Sequence, residues 1–184
     1  AVYEGQLDSH PSAGLQSLLV DGAESCGARF EPVEHEGCSQ HCPEEIDAIR
    51  RAIDRLKGSL YRDREGRERT IGDADFLVVA PYNAQVNALR LALPGIRVGT
   101  VDKFQGLAAP ICLVSMTTSS VEEMPRDMSF LFSLNRINVA VSRAQAHAVL
   151  FASPRLLEVP CRTVEDMTLA NTLCLLAEMG GDSF

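Results

Sequence analysis

Residues 74–93 read "ADFLVVAPYNAQVNALRLAL", and this stretch decides the fold. Phe76 to Ala80 is a continuous apolar run ended by Pro81. A strand that is apolar on both sides is covered on both sides, which is the habit of a parallel sheet. "YNAQVNALRLAL" (82–93) then reads as a helix. The same alternation continues in both directions. "IRVGTV" (96–101), "PICLVSMT" (110–117) and "AHAVLFAS" (146–153) read as strands, and "ARFEPVEH" (28–35) alternates as a further one. Buried strands alternating with amphipathic helices predict an α/β domain, its parallel sheet covered by helices on both faces.

The helix that follows "ARFEPVEH" is the best delimited. In "CPEEIDAIRRAIDRLKG" (42–58), Pro43 suits the first helical position, Glu44 and Glu45 the positive end, and Gly58 the stop. Ile46, Ile49, Ile53 and Leu56 recur at spacings of three and four and form one buried stripe. At the other end, "TVEDMTLANTLCLLAEMGG" (163–181) predicts a last helix, capped by Thr163 and Asp166 and stopped at Gly180. A polar loop is expected near "SSVEEMPRDM" (119–128). Residues 1–28 suggest no clear element, and the opening "AVYEG" reads as the middle of a longer chain. All 184 residues are expected to form a single domain.

Hydrophobic residues make up 46% and charged residues 23%, an ordinary balance for a globular domain. No run is long and apolar enough for a membrane span and no signal peptide is visible. The six cysteines lack a framework spacing, which predicts free thiols and a cytoplasmic setting. A net charge of −8 argues against a stand-alone nucleic-acid binder. Residues 50–69 nonetheless carry eight basic against four acidic side chains. They read first as a solvated helix face and hairpin, and second as a phosphate-facing patch.

Two arginines pose a separate question. In "FLFSLNRINVAVSRAQAHAVLFAS" (130–153), Arg136 and Arg143 lie seven residues apart in an otherwise apolar segment. On a helix they share one face, beside a polar stripe of Asn135, Asn138 and Ser142. Arginine is rarely buried unpaired. The two either meet carboxylates or face an anion.

Three segments, "VVAPYNAQV" (78–86), "GTVDKFQG" (99–106) and "NRINVAVSRA" (135–144), resemble in order and spacing motifs IV, V and VI of superfamily 1 helicases. The resemblance is to the 5′-to-3′ branch that includes the RNA-decay helicase and its DNA-replication relatives. It covers residues 29–157 and implies the second, C-terminal RecA-like domain of such an enzyme. Arg143 takes the position of the family's arginine finger on ATP. Gln105, Gly106 and Arg136 fall at nucleotide-facing positions, though Arg136 equally suits a brace against a carboxylate such as Asp102. Asn83, Gln85, Thr100, Asp102 and Lys103 fall where the family meets single-stranded DNA or RNA. ATP with Mg²⁺ is the implied cofactor. No G-x-x-x-x-G-K-[ST] loop is present, so the Mg²⁺ ligands are expected on a first RecA-like domain. The isolated fragment is expected to be inactive. The family usually has Glu two residues after the motif V glycine, where this chain has Ala108.

That substitution supports a competing reading, a non-catalytic binding module with this fold. A third is a zinc-stabilised interaction domain, because Cys26, His35, Cys38, His41 and Cys42 lie close in sequence. No paired C-x2-C occurs among them, and Cys42 stands where a helix cap belongs. The spacing therefore predicts no metal site. No nucleophile signature surrounds any cysteine.

Overall fold

The computed structural model describes residues 16–20, 22–104, 106–125 and 142–158, with Met167, Asn171, Leu173, Cys174, Ala177 and Glu178. Strands β1 (Ser17–Val20), β2 (Ala23–Ser25) and β3 (Gly27–Pro32) precede helix α1 (Pro43–Leu56). Then come β4 (Leu60–Arg62), β5 (Glu68–Thr70), β6 (Phe76–Val79), helix α2 (Asn83–Ala92), β7 (Arg97–Gly99), β8 (Ala109–Ser115) and β9 (Ala144–Ala152). Five strands form one sheet in the order β3-β9-β8-β6-β7, and every pairing in it is parallel. This is the expected α/β architecture.

The side chains of the central strands alternate between two apolar layers, as the pleat requires. Phe76, Val78, Ile111, Leu113, Val149 and Phe151 face one layer, with the α1 stripe Ile46, Ile49, Ile53 and Leu56 and with Val86 and Leu89 of α2. Burying each such side chain contributes roughly 1.5–3 kcal/mol before chain entropy is charged against it. Leu77, Val79, Cys112, Val114, Leu150 and Ala152 face the other layer, joined by Phe104, Leu156 and Leu173. Both faces are thus covered. The expected arginine helix up to Val141 and most of residues 163–181, including the caps Thr163, Asp166 and Gly180, lie outside the described residues.

The hairpin expected within residues 50–69 forms as β4 and β5, and it belongs to a second, antiparallel sheet in the order β2-β1-β4-β5, whose strands β1 and β2 the sequence does not suggest. Residues 17–25, which suggest no element in sequence, pair Val20 with Ala23. The Asp21-Gly22 dipeptide between them is a two-residue hairpin signal, and Gly22 has the required positive φ of 84°. The basic run 50–69 resolves as a solvated surface that is largely ion-paired. Arg50 meets Asp47, Lys57 meets Asp73, Arg62 meets Glu24 and Glu68, Arg67 meets Asp63 and Glu65, and Arg69 meets Asp75. Each exposed pair contributes little to stability, but the carboxylates neutralise much of the patch that a phosphate would seek.

Candidate functional site

A parallel sheet has all its carboxyl ends on one edge, and the site residues divide between the two edges. At the carboxyl edge, β6 runs through Ala80 to Tyr82 into α2, and β7 runs through Thr100 into a 3₁₀ turn at Val101–Phe104. The Ala80 N–H donates to the Gly99 carbonyl at 3.1 Å, which ties these two connections together. Asn83, Asp102 and Lys103 are exposed and Thr100 is half-buried. All four belong to the two connections at this edge.

The segment after β7 then crosses the sheet. Phe104 is buried in the second layer, and the chain reaches the amino edge before β8 begins. Gly99 permits the crossing: a Cβ there would lie 2.8 Å from Lys103 Cδ and 3.0 Å from the Phe104 ring. Gly106 turns the chain with φ 84°. Arg143 stands in the turn that enters β9 rather than within a helix. The Ala109 N–H donates to its carbonyl at 2.9 Å, so Arg143 is joined at the amino edge to the residue that follows Gly106–Ala108. The half-buried Arg143 guanidinium is close enough to lower the Cys112 thiol, which burial pushes up to about 12. Arg136 and Gln105 lie outside the described residues.

Gln85 behaves differently from the other track residues. It is fully buried, its amide oxygen accepts from Cys42 N–H at 2.9 Å, and its amide nitrogen donates to the Cys42 carbonyl and to Ser115 Oγ. Its polar atoms are committed to the loop before α1. In this arrangement Gln85 braces the carboxyl edge and presents nothing to a strand.

Gln85 belongs to a buried polar network that the sequence reading missed. Glu45 turns inward and is fully buried. Its carboxylate accepts from Thr117 N–H at 2.9 and 3.0 Å, from the Ser115 hydroxyl, and from His35 Nε2 at 3.1 Å. Cys38 N–H donates to Ser119 Oγ at 3.0 Å, and Ser119 lies 2.7 Å from His35 Nδ1. For a neutral ring, the chain that satisfies these donors runs from Ser119 O–H to Nδ1 and from Nε2–H to Glu45, hydrogens being assigned from the network. Thr117, with φ 73°, is the one described non-glycine residue with positive φ, and its N–H is held by Glu45. One signal for this network was present in sequence. Glu45 lies four residues before Ile49, on the apolar face of α1, where a charge must find partners.

The loop before α1 also gathers sulfur. Cys42 caps the helix, its Sγ accepting from Glu45 N–H at 3.4 Å. One ligand atom each from His35, Cys38 and Cys42 lie within 4.8 Å of one another. Burial, and then the Glu45 charge, push the Cys42 thiol well above its ordinary value. Burial also raises Cys38. Glu44 is held below the usual carboxylate range by its own backbone N–H, helped by both thiols. Five described cysteines, Cys26, Cys38, Cys42, Cys112 and Cys174, are free thiols.

The model of the AAA domain family matches residues 2–155. The DNA-binding protein SMUBP-2 of Mus musculus is 30% identical over 82% of this chain and 16% of its own length. The putative helicase mov-10-B.1 of Danio rerio is 34% identical over 61% of the chain and 12% of its own. The probable RNA helicase armi of Drosophila melanogaster is 37% identical over 45% and 8%. The chain therefore spans only a small part of the relatives it matches. Among the described residues no helix is long and apolar enough to cross a membrane. Parallel sheet, three ordered motifs and a family match over most of the chain lead to one assignment: the chain belongs to the AAA domain family and is the C-terminal RecA-like domain of a superfamily 1 helicase, of the 5′-to-3′ branch.

Proposed function

We propose that this domain is the second motor half of an ATP-driven helicase, with nucleotide handled at the amino edge of its sheet and single-stranded nucleic acid at the carboxyl edge. The observation that carries the reading is the division of the motif residues. Arg143 is joined to Ala109 at the amino edge by a backbone hydrogen bond, and Gly106 lies three residues before Ala109. Asn83, Thr100 and Lys103 stand at the carboxyl edge.

The amino edge suits part of an anionic nucleotide: Arg143 is half-buried there, and the backbone at Gly106 is exposed. Arg143, with Gln105 and Arg136 from the same motifs, would contact the phosphates. ATP supplies the transferable phosphoryl group, and Mg²⁺ would be held by a first RecA-like domain. Arg143 neutralises charge that develops on that group, and its planar fork matches two phosphate oxygens. Thr100, Asn83 and Lys103 hold the sugar-phosphate backbone, which positions a strand without reading its sequence. Ala108 is exposed and offers no carboxylate to the nucleotide; this favours, as the second reading, a binding module that has lost turnover.

The test is Arg143→Ala in the full-length protein. ATP turnover should fall by about 10³–10⁵ while nucleotide binding changes much less, because a finger acts chiefly in the transition state. Arg143→Lys should rescue poorly. An Arg143→Ala protein that melts far earlier yet keeps near-normal turnover when folded refutes the assignment. A parent protein that binds ATP without hydrolysing it selects the second reading.

A further inference from the structure

The geometry points to a zinc site, built by His35, Cys38, Cys42 and Glu44 on the loop between β3 and α1. The sequence spacing predicts no metal, because no C-x2-C pair is present. The folded loop changes the argument. Gly37, with φ 74°, turns the chain, and its N–H is anchored by Glu123 Oε1 at 2.9 Å. That turn brings one atom each of His35, Cys38 and Cys42 within 4.8 Å of one another. The exposed Glu44 offers a fourth ligand beside the two sulfurs: its Oε2 lies 3.4 Å from Cys42 Sγ and 3.7 Å from Cys38 Sγ.

The two sulfur-to-oxygen separations match the edge of a tetrahedral site. With Zn–S about 2.3 Å and Zn–O about 2.0 Å, a sulfur-to-oxygen edge is about 3.5 Å, and a sulfur-to-sulfur edge is about 3.8 Å. All four residues come from positions 35–44, so small movements of one loop close the remaining gap.

The surroundings also suit a metal. Glu45 accepts from His35 Nε2, which leaves Nδ1 with the lone pair; a carboxylate behind a ligating histidine fixes the ring and raises its basicity. Metal at Nδ1 replaces the Ser119 hydroxyl there. The Glu45 N–H already donates to Cys42 Sγ. Cys42 and Glu44 stand at the first turn of α1, whose positive end offsets part of the negative charge that the ligands bring. Two thiol protons leave as the ion enters. Two sulfurs, one imidazole and one carboxylate are a donor set for Zn²⁺ rather than Mg²⁺ or Ca²⁺. The site is structural: it joins the end of β3 to the first turn of α1, and Thr118 and Ser119 hold the same loop through Ser39 and Cys38.

The test uses the 184-residue chain, reduced and stripped of metal, titrated with Co²⁺ and then Zn²⁺. One Co²⁺ per chain is expected, with a sulfur-to-cobalt charge-transfer band and the intense visible bands of a tetrahedral ion, both abolished by one equivalent of Zn²⁺. Cys42→Ser keeps a good helix cap, so it should fold but lose the sulfur band's full intensity and bind much more weakly. Cys38→Ser should do the same, and Cys26→Ser should bind as the parent does. Zn²⁺ should raise the melting temperature of the parent and not of Cys42→Ser. Absence of the sulfur band in the parent overturns the proposal, as does a band that survives unchanged in Cys42→Ser.

Discussion

Replacing Glu45 by alanine probes the buried network most directly. The carboxylate has no solvent exposure and receives three donors: Thr117 N–H, the Ser115 hydroxyl and His35 Nε2–H. Hydrogen bonds to a charged group contribute about 1.5–3 kcal/mol each. The Ser115 hydroxyl has a substitute partner, because Thr117 Oγ1 lies 3.2 Å away. Thr117 N–H and His35 Nε2–H face the hole left by the side chain. The variant also relieves the cost of burying a carboxylate, several kcal/mol, so the losses do not simply add. The net expectation is about 3–5 kcal/mol of destabilisation, the usual result of breaking a buried pair. Glu45→Gln keeps the shape and one acceptor but turns an amide N–H₂ toward donors, so about 1.5–3 kcal/mol is expected. Urea titrations with chelator and reductant present would read both. At a slope of about 2 kcal/mol/M, the alanine midpoint falls by about 2 M with the slope unchanged. An alanine variant within about 1 kcal/mol of the parent, or no worse than the glutamine variant, would show that desolvation cancels the bonds and refute the reasoning.

Two further outcomes follow from charge. His147 is 3% exposed on β9, and burial, aided by the nearby Arg29 charge, lowers its pKa to about 4. The unfolded chain therefore takes up a proton near pH 6.5 while the folded one does not; stability is full above that pH and lost as it falls toward 4. Between pH 7 and pH 5 this amounts to about 2 kcal/mol, and His147→Leu should flatten that part of the urea-midpoint profile relative to the parent. The isolated chain should bind single strands weakly, because its net charge is −8 and residues 50–69 are largely paired internally. Fluorescence anisotropy showing tight, salt-resistant binding to this chain alone would contradict the division of the site between two domains.

The sequence by itself determined the layered α/β plan. Strand and helix are written in local periodicity, so the stripe Ile46-Ile49-Ile53-Leu56, the run ended by Pro81 and the cap at Cys42 all predicted elements that formed. It also supplied the family, because three motifs in order are a linear signal. Only the tertiary structure decided where those motifs stand. "GTVDKFQGLAAP" looks like one loop, yet it crosses the sheet from Thr100 at one edge to Ala108 at the other, and that depends on the register of β6 against β7 on one side and β8 on the other. Gln85 belongs to a helix start that reads as exposed, but the loop from β3 folds over it and takes its amide. The Glu45 network joins residues 70 and 72 positions apart in sequence. Such pairings arise because a buried polar group must find partners wherever the chain brings them, and no window of sequence contains both halves.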